Sequence, residues 1–116
     1  MRRNVIKEKS FDFALEIIHL YKVICHERRE FVLSKQLLRA GTSIGANVRE
    51  SEFAESKADF IHKLAVALKE ANETGYWLEL LHQTQYLPDK LFQEIFSKLE
   101  ELLRLLVSII NTTKNK

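Results

Sequence analysis

The sequence predicts an all-α protein, an antiparallel up-down-up-down four-helix bundle built from residues 1–116 as a single domain. Three observations point there. The 116 residues include only three glycines and one proline, too few for the many turns of a β-rich fold. Four segments repeat their apolar residues at steps of three and four, the mark of an amphipathic helix. The breaks between segments are short, and short connections make neighbouring helices antiparallel. With 46% apolar and 29% charged residues, a chain of this length has material for one core.

In the first helix Ala14, Ile17, Ile18, Tyr21, Ile24 and Cys25 form the apolar stripe. Ser10 is the expected N-cap, and Arg28 and Arg29 in "HERRE" suit the negative end of the helix dipole. Leu37, Gly41, Ile44, Val48 and Ser51 mark the second helix. Ser56 with Asp59 resembles a capping box that opens the third, whose stripe is Phe60, Leu64, Ala67, Ala71, Thr74, Leu78 and Leu81. "YLPDK" breaks the chain, and Pro88 suits a first helical turn. Phe92, Ile95, Leu99, Leu102, Leu106 and Ile109 follow at 3-4-3-4-3 spacing, the pattern of near-parallel packing.

The second helix contains an unusual stretch, "LLRAGTSIGANVRES", with six small residues in the seven positions 40–46. A phosphate loop of the Walker type needs Gly-x-x-x-x-Gly-Lys-Ser/Thr after a strand; Gly41 and Gly45 are too close together and no strand precedes them. Read as a helix, the small residues spread around most of its circumference. A glycine costs about 1 kcal/mol in a helix interior, so two of them imply a close backbone approach. The expectation is that this helix is squeezed between its own bundle and another chain; the alternative is a crossing wholly within one chain. Trp77 and Leu80, with Val66, lie off the core stripe of the third helix, and Leu91, Phe96, Leu105 and Val107 flank that of the fourth. Arcs this broad suggest self-association.

Arg39, Ser43, Asn47 and Glu50 line one side of the second helix, and Glu70 and Glu73 on the third are their expected partners. Polar groups near a core must be satisfied, so a buried hydrogen-bond network that fixes helix register is expected. Two Glu-x-x-His strings, "EIIH" from Glu16 and "ELLH" from Glu79, raise the question of a di-iron bundle. Glu16 and His19 fall opposite the apolar stripe, so no metal site is assigned. His26 and His62 lie on charged faces, and Cys25 reads as a small core residue. No catalytic constellation and no cofactor motif is present.

The net charge is +2, mildly basic, which permits but does not by itself argue for nucleic-acid binding. Arg2, Arg3, Lys7 and Lys9 gather at the start, and Lys22, Arg28 and Arg29 along or near the end of the first helix. Repeated by a symmetric oligomer, such clusters add through avidity. One cysteine excludes an internal disulfide. The N-terminus lacks an apolar signal core and no uncharged run reaches membrane-span length. A cytoplasmic protein without membrane contact is expected, and the "NTT" at Asn111 is a chance sequon.

"SIGANVRESEFAES" together with "DFIHKLAVALKEANETGYWLELL" resembles a family of four-helix-bundle proteins first noticed as reading frames in intervening sequences of large-subunit ribosomal RNA genes. The family also includes the accessory variability protein of diversity-generating retroelements. The likeness is most specific at Ser43, Ile44, Asn47, Glu50 and the run from Lys69 to Leu81, while Gly45 and Ser51 replace a proline and a glycine common elsewhere in the family. The resemblance implies a ring-like homopentamer. For the retroelement branch it implies a basic surface that binds RNA or DNA and docks a reverse transcriptase. It carries over no catalytic residue. The expected function is therefore a non-enzymatic oligomeric scaffold that contacts structured RNA through Lys and Arg, with a protein-interaction module lacking any nucleic-acid role as the rival.

Overall fold

Asn4 opens the first helix, α1 (Val5–Val23), by accepting the Lys7 N–H at 3.1 Å on its side-chain oxygen. This corrects the expected cap. Ser10 lies inside α1, only 1% exposed, and its hydroxyl donates back to the Lys7 carbonyl. α1 runs on into a π-helical turn, Ile24–Arg28, and stops where Arg29 adopts left-handed backbone angles, φ 53°. The second helix, α2 (Leu33–Ser51), is continuous through both of its glycines. Ser56 caps the third, α3 (Lys57–Gln83), by accepting the Asp59 N–H at 3.0 Å. The fourth, α4 (Asp89–Lys114), begins one residue later than expected, with Pro88 as its extended N-cap. The Tyr86 and Leu87 N–H groups turn back to the Leu81 carbonyl and plug Leu87 into the core, which leaves the chain extended at Pro88.

The computed structural model describes residues 4–116 and has no strand among them; Arg2 and Arg3 lie outside the described residues. The helices form an all-α bundle in which α1 packs on α2, α2 on α3 and α3 on α4, while α1 and α4 touch more loosely. Its long dimension is 47 Å, close to the roughly 40 Å of a 27-residue helix at 1.5 Å per residue. No helix among the described residues is long and apolar enough to cross a membrane.

The core is continuous from end to end: Phe13 and Ile17 of α1, Leu37 and Ile44 of α2, Leu64 and Leu78 of α3, Leu99 and Leu106 of α4 are all at most 2% exposed. The inward stripe of α1 is rotated from the expected one. Ile6, Phe13 and Leu20 are buried with Ile17 and Ile24, whereas Ile18 is exposed and Tyr21 and Cys25 are half-buried. In α4 the seam ends on Ile110 rather than Ile109. A 3.5-residue repeat slips against a 3.6-residue helix over several turns, and the next residue takes over.

Gly41 and Gly45 set the separation of α1 and α2. A Cβ at Gly41 would come within 2.8 Å of Ile17 Cγ1, and one at Gly45 within 3.2 Å of the Ser10 carbonyl oxygen. Both glycines therefore face α1 of the same chain, and the crossing within one chain accounts for them without the second chain expected beside this helix. Elsewhere on α2 the small polar residues turn back on their own helix. The Thr42 hydroxyl donates to the Leu38 carbonyl at 2.7 Å and Ser43 to the Arg39 carbonyl at 2.6 Å.

Candidate nucleic-acid interface

Of the basic residues within the described chain, Lys7 and Lys9 lie near the start of α1, and Arg28 and Arg29 lie past its far end. Lys7 sits beside the end of α2, where its ammonium meets Glu52 at 3.1 Å, and Lys9 reaches across to Glu101 of α4 at 3.2 Å. Both lysines are thus compensated within the chain. Arg28 belongs to the other end. Its guanidinium donates to the Gln85 carbonyl and ties the π-turn to the link between α3 and α4. From Lys7 to Arg28 is roughly 30 Å of helix. Lys22 is exposed and makes no ion pair among the described residues, and Arg29 is exposed with its guanidinium 5.6 Å from the centre of the Phe31 ring. Among the described residues of the candidate set, the cations without an acidic partner are thus Lys22, Arg28 and Arg29. Lys35, exposed at the start of α2, joins that end, though nothing in its spacing separates it from an ordinary solvated lysine.

The link at this end is held by an acid. Glu30 accepts the N–H groups of Val32 at 3.1 Å, Leu33 at 2.9 Å and Ser34 at 2.8 Å, so the free donors that open α2 are satisfied from two residues before its N-cap. Burial pushes the Glu30 carboxyl upward, but those backbone donors outweigh it and hold its pKa below the usual value. A carboxyl depressed on folding stabilises the native state above its unfolded pKa and loses that contribution as pH falls through the folded value. Glu30→Gln is accordingly expected to cost about 1 kcal/mol at neutral pH, the scale of a helix cap. Urea unfolding should show the deficit shrink as pH falls below the ordinary carboxylate range.

The polar row between α2 and α3 forms in part. Arg39 pairs with Glu70 at 3.1 Å and with Glu73 through its other terminal nitrogen. Glu50 instead faces Lys63 at 4.0 Å, and Asn47 donates to the Ser43 carbonyl of its own helix at 2.8 Å. Arg39 is half exposed, so this is a surface-bordering clamp and not the buried network expected. Such a pair adds at most about 1 kcal/mol. Its geometry still favours one register of α2 against α3. Trp77 and Leu80 are half-buried. Trp77 packs on the core with its indole N–H covered and unpartnered, while Tyr76 meets it edge-on at 5.1 Å and is itself exposed.

The Glu-x-x-His residues do not converge. Glu16 pairs with Lys98 and His19 is exposed; His82 bonds Asp89 at 2.5 Å and stacks on Phe92 at 4.1 Å. No group of three His, Cys, Asp or Glu residues placed to hold a metal ion occurs among the described residues.

Apolar side chains are exposed in a row along α1, where Phe11, Leu15 and Ile18 keep 49%, 52% and 36% of their surface. Arg49 of α2 lies 5.7 Å over the Phe11 ring, so the row borders α2. On its other side the loose contact of α1 with α4 leaves a groove of about 380 Å³, lined by Leu15 of the row itself with Leu20, Val23, Leu91 and Ile95, and by Glu16, His19 and Glu94. The row is not legible in the sequence, where Ile18 fits the core stripe of α1 by its spacing.

The chain matches the family model described as 23S rRNA-intervening sequence protein over residues 2–108. It is similar to a protein of unknown function from the S23 ribosomal protein family of Bacteroides thetaiotaomicron, known from a crystal structure. The two share 56% identity at a TM-score of 0.89, over 90% of this chain and 97% of that one. No curated protein matches.

Proposed function

Because the chain belongs to the 23S rRNA-intervening sequence protein family, we propose that it is a non-enzymatic, cytoplasmic scaffold that assembles as a ring-like homopentamer and contacts structured RNA. The observation that carries the self-association is the exposed row Phe11, Leu15 and Ile18. A bundle that already buries Phe13 and Ile17 gains nothing by leaving three more large side chains of the same helix in water, and contiguous exposed apolar surface marks a contact. A second copy is the occupant. α4 carries a separate exposed apolar spot, Val107 beside Leu103, and two unlike faces on one chain suit a head-to-tail ring.

RNA contact falls to Lys22, Arg28 and Arg29, presented once per subunit and multiplied by the ring. Light scattering at micromolar concentration should give about five times the 13.6 kDa chain mass. Binding to a structured RNA should weaken steeply as salt is raised, since each phosphate contact releases counterions. A monomer that binds no RNA at low salt would sink the proposal. The compensation of Lys7 by Glu52 and of Lys9 by Glu101 favours the second reading, a protein-interaction scaffold without nucleic acid. An intact oligomer that ignores RNA at low salt would establish it.

A further inference from the structure

We propose that Phe31 is a stacking platform for an unpaired base of single-stranded RNA at the basic end of the bundle, which rests on the RNA reading above and names its site. Phe31 is 52% exposed and the adjoining Val32 73%, so an aromatic ring and its apolar neighbour stand in water at a chain link. The link is not slack. Glu30 binds the N–H groups of Val32, Leu33 and Ser34, the left-handed Arg29 fixes the end of the π-turn, and Arg28 fastens that turn to Gln85. A ring on a braced backbone loses little freedom on binding.

Its surroundings fit a nucleotide. The planar Arg29 guanidinium lies 5.6 Å from the ring centre, and Lys22, Arg28 and Lys35 are the exposed cations nearest in sequence. Glu30 spends its charge inward on the backbone, which leaves Glu27 as the exposed acid of the turn. Aromatic faces stack bases of any sequence while Lys and Arg follow the phosphates. Phe11, 49% exposed beneath Arg49, belongs to the apolar row of α1, and Phe53, at 80%, sits between Glu52 and Glu55 with no cation over its ring among the described residues. A lipid surface would call for a longer apolar face on an amphipathic helix, whereas this one consists of two residues in a link.

The test compares a labelled short oligoadenylate with an abasic sugar–phosphate strand of the same length, by fluorescence anisotropy. Wild type should bind the base-bearing strand about tenfold more tightly, the lower range of one stacked base. Phe31→Ala should abolish that preference while keeping the salt dependence and the helical circular dichroism, and Phe31→Trp should retain it. Arg29→Gln should weaken both strands and reduce the salt slope by about 0.7. Equal affinity of wild type for the two strands, or an undiminished preference in Phe31→Ala, overturns the platform and leaves charge-driven RNA binding standing. Binding of neither strand overturns the platform, while contact with structured RNA still stands or falls on the salt-dependent binding described above. Phe31-dependent binding to anionic phosphatidylserine vesicles with none to the strands would assign the site to membranes instead and overturn the platform.

Discussion

Gly41→Leu is expected to destabilise the fold by about 3 kcal/mol, the upper part of the range for an overpacked core. The reason is local and geometric. Even the Cβ alone would stand 2.8 and 2.9 Å from the two γ-carbons of Ile17, and Ile17 has no exposed surface into which it can turn. A β-branched side chain in a helix keeps essentially one rotamer, so relief requires α1 and α2 to move apart. That separation opens the core along α1, where Phe13 and Leu20 pack beside Ile17. Gly41→Ala meets the same first contact but recovers about 1 kcal/mol of helix propensity, so its net loss should be near 1 kcal/mol. Gly75→Ala makes the contrast. There a Cβ would rest 3.4 Å from Leu99 Cδ2, ordinary contact with a flexible chain end, and the propensity gain of roughly 0.5–1 kcal/mol should appear as added stability. Chemical denaturation of the three variants measures all of this. Wild-type stability in Gly41→Leu would mean that the two helices are not held at this spacing.

The same contrast marks what could be read from the residues alone. That a glycine pair inside α2 meant a close crossing followed from its cost in a helix. Which neighbour came close did not, because periodicity gives the direction of a side chain and not the identity of the element it meets. α3 and α4 were legible along their seams, since Leu64, Ala67, Ala71, Leu78 and Leu81, and Ile95, Leu99, Leu102 and Leu106, are buried at the expected spacing, and Ser56 announces the start of α3. α1 was not. Val5, Phe11, Leu15 and Ile18 add apolar residues on its outer side, so two stripes fit the spacing equally well. The true one also passes through buried Ser10, whose backbone carbonyl lies against Gly45. The family was readable from the segments around Ser43 and Lys69, and with it the bundle.

The basic residues were legible as a set but not as a site. Their separation along α1 already implied two ends of one helix. Compensation of Lys7 and Lys9 depends on acids 45 and 92 residues away, which only the fold brings near. The platform at Phe31 is invisible for a related reason. Phe31 stands 52% exposed in the link between the π-turn and α2, and residue spacing does not separate a link aromatic that meets water from one that folds onto the core.

Leu15→Glu is expected to dissolve the proposed ring while leaving the bundle folded. Leu15 is about half exposed in the single chain, so the exchange should alter its stability by no more than about 0.5 kcal/mol. Within an assembly the carboxylate would lie between two chains, beside Phe11 and Ile18 and close in sequence to Glu16. An uncompensated charge in such a place costs several kcal/mol. A ring repeats the contact at every subunit boundary, so the penalty recurs around the closed assembly. Light scattering should then report the single-chain mass at concentrations where wild type is assembled, with unchanged helical circular dichroism. RNA affinity should fall with it by about 100-fold, because the end cations of one subunit no longer act together with those of its neighbours. The substitution touches none of Lys22, Arg28, Arg29 or Phe31, so that loss would measure avidity rather than damage to the contact itself. An oligomer that survives Leu15→Glu would move the self-contact away from α1 and toward α4, where Val107 is the residue to change next.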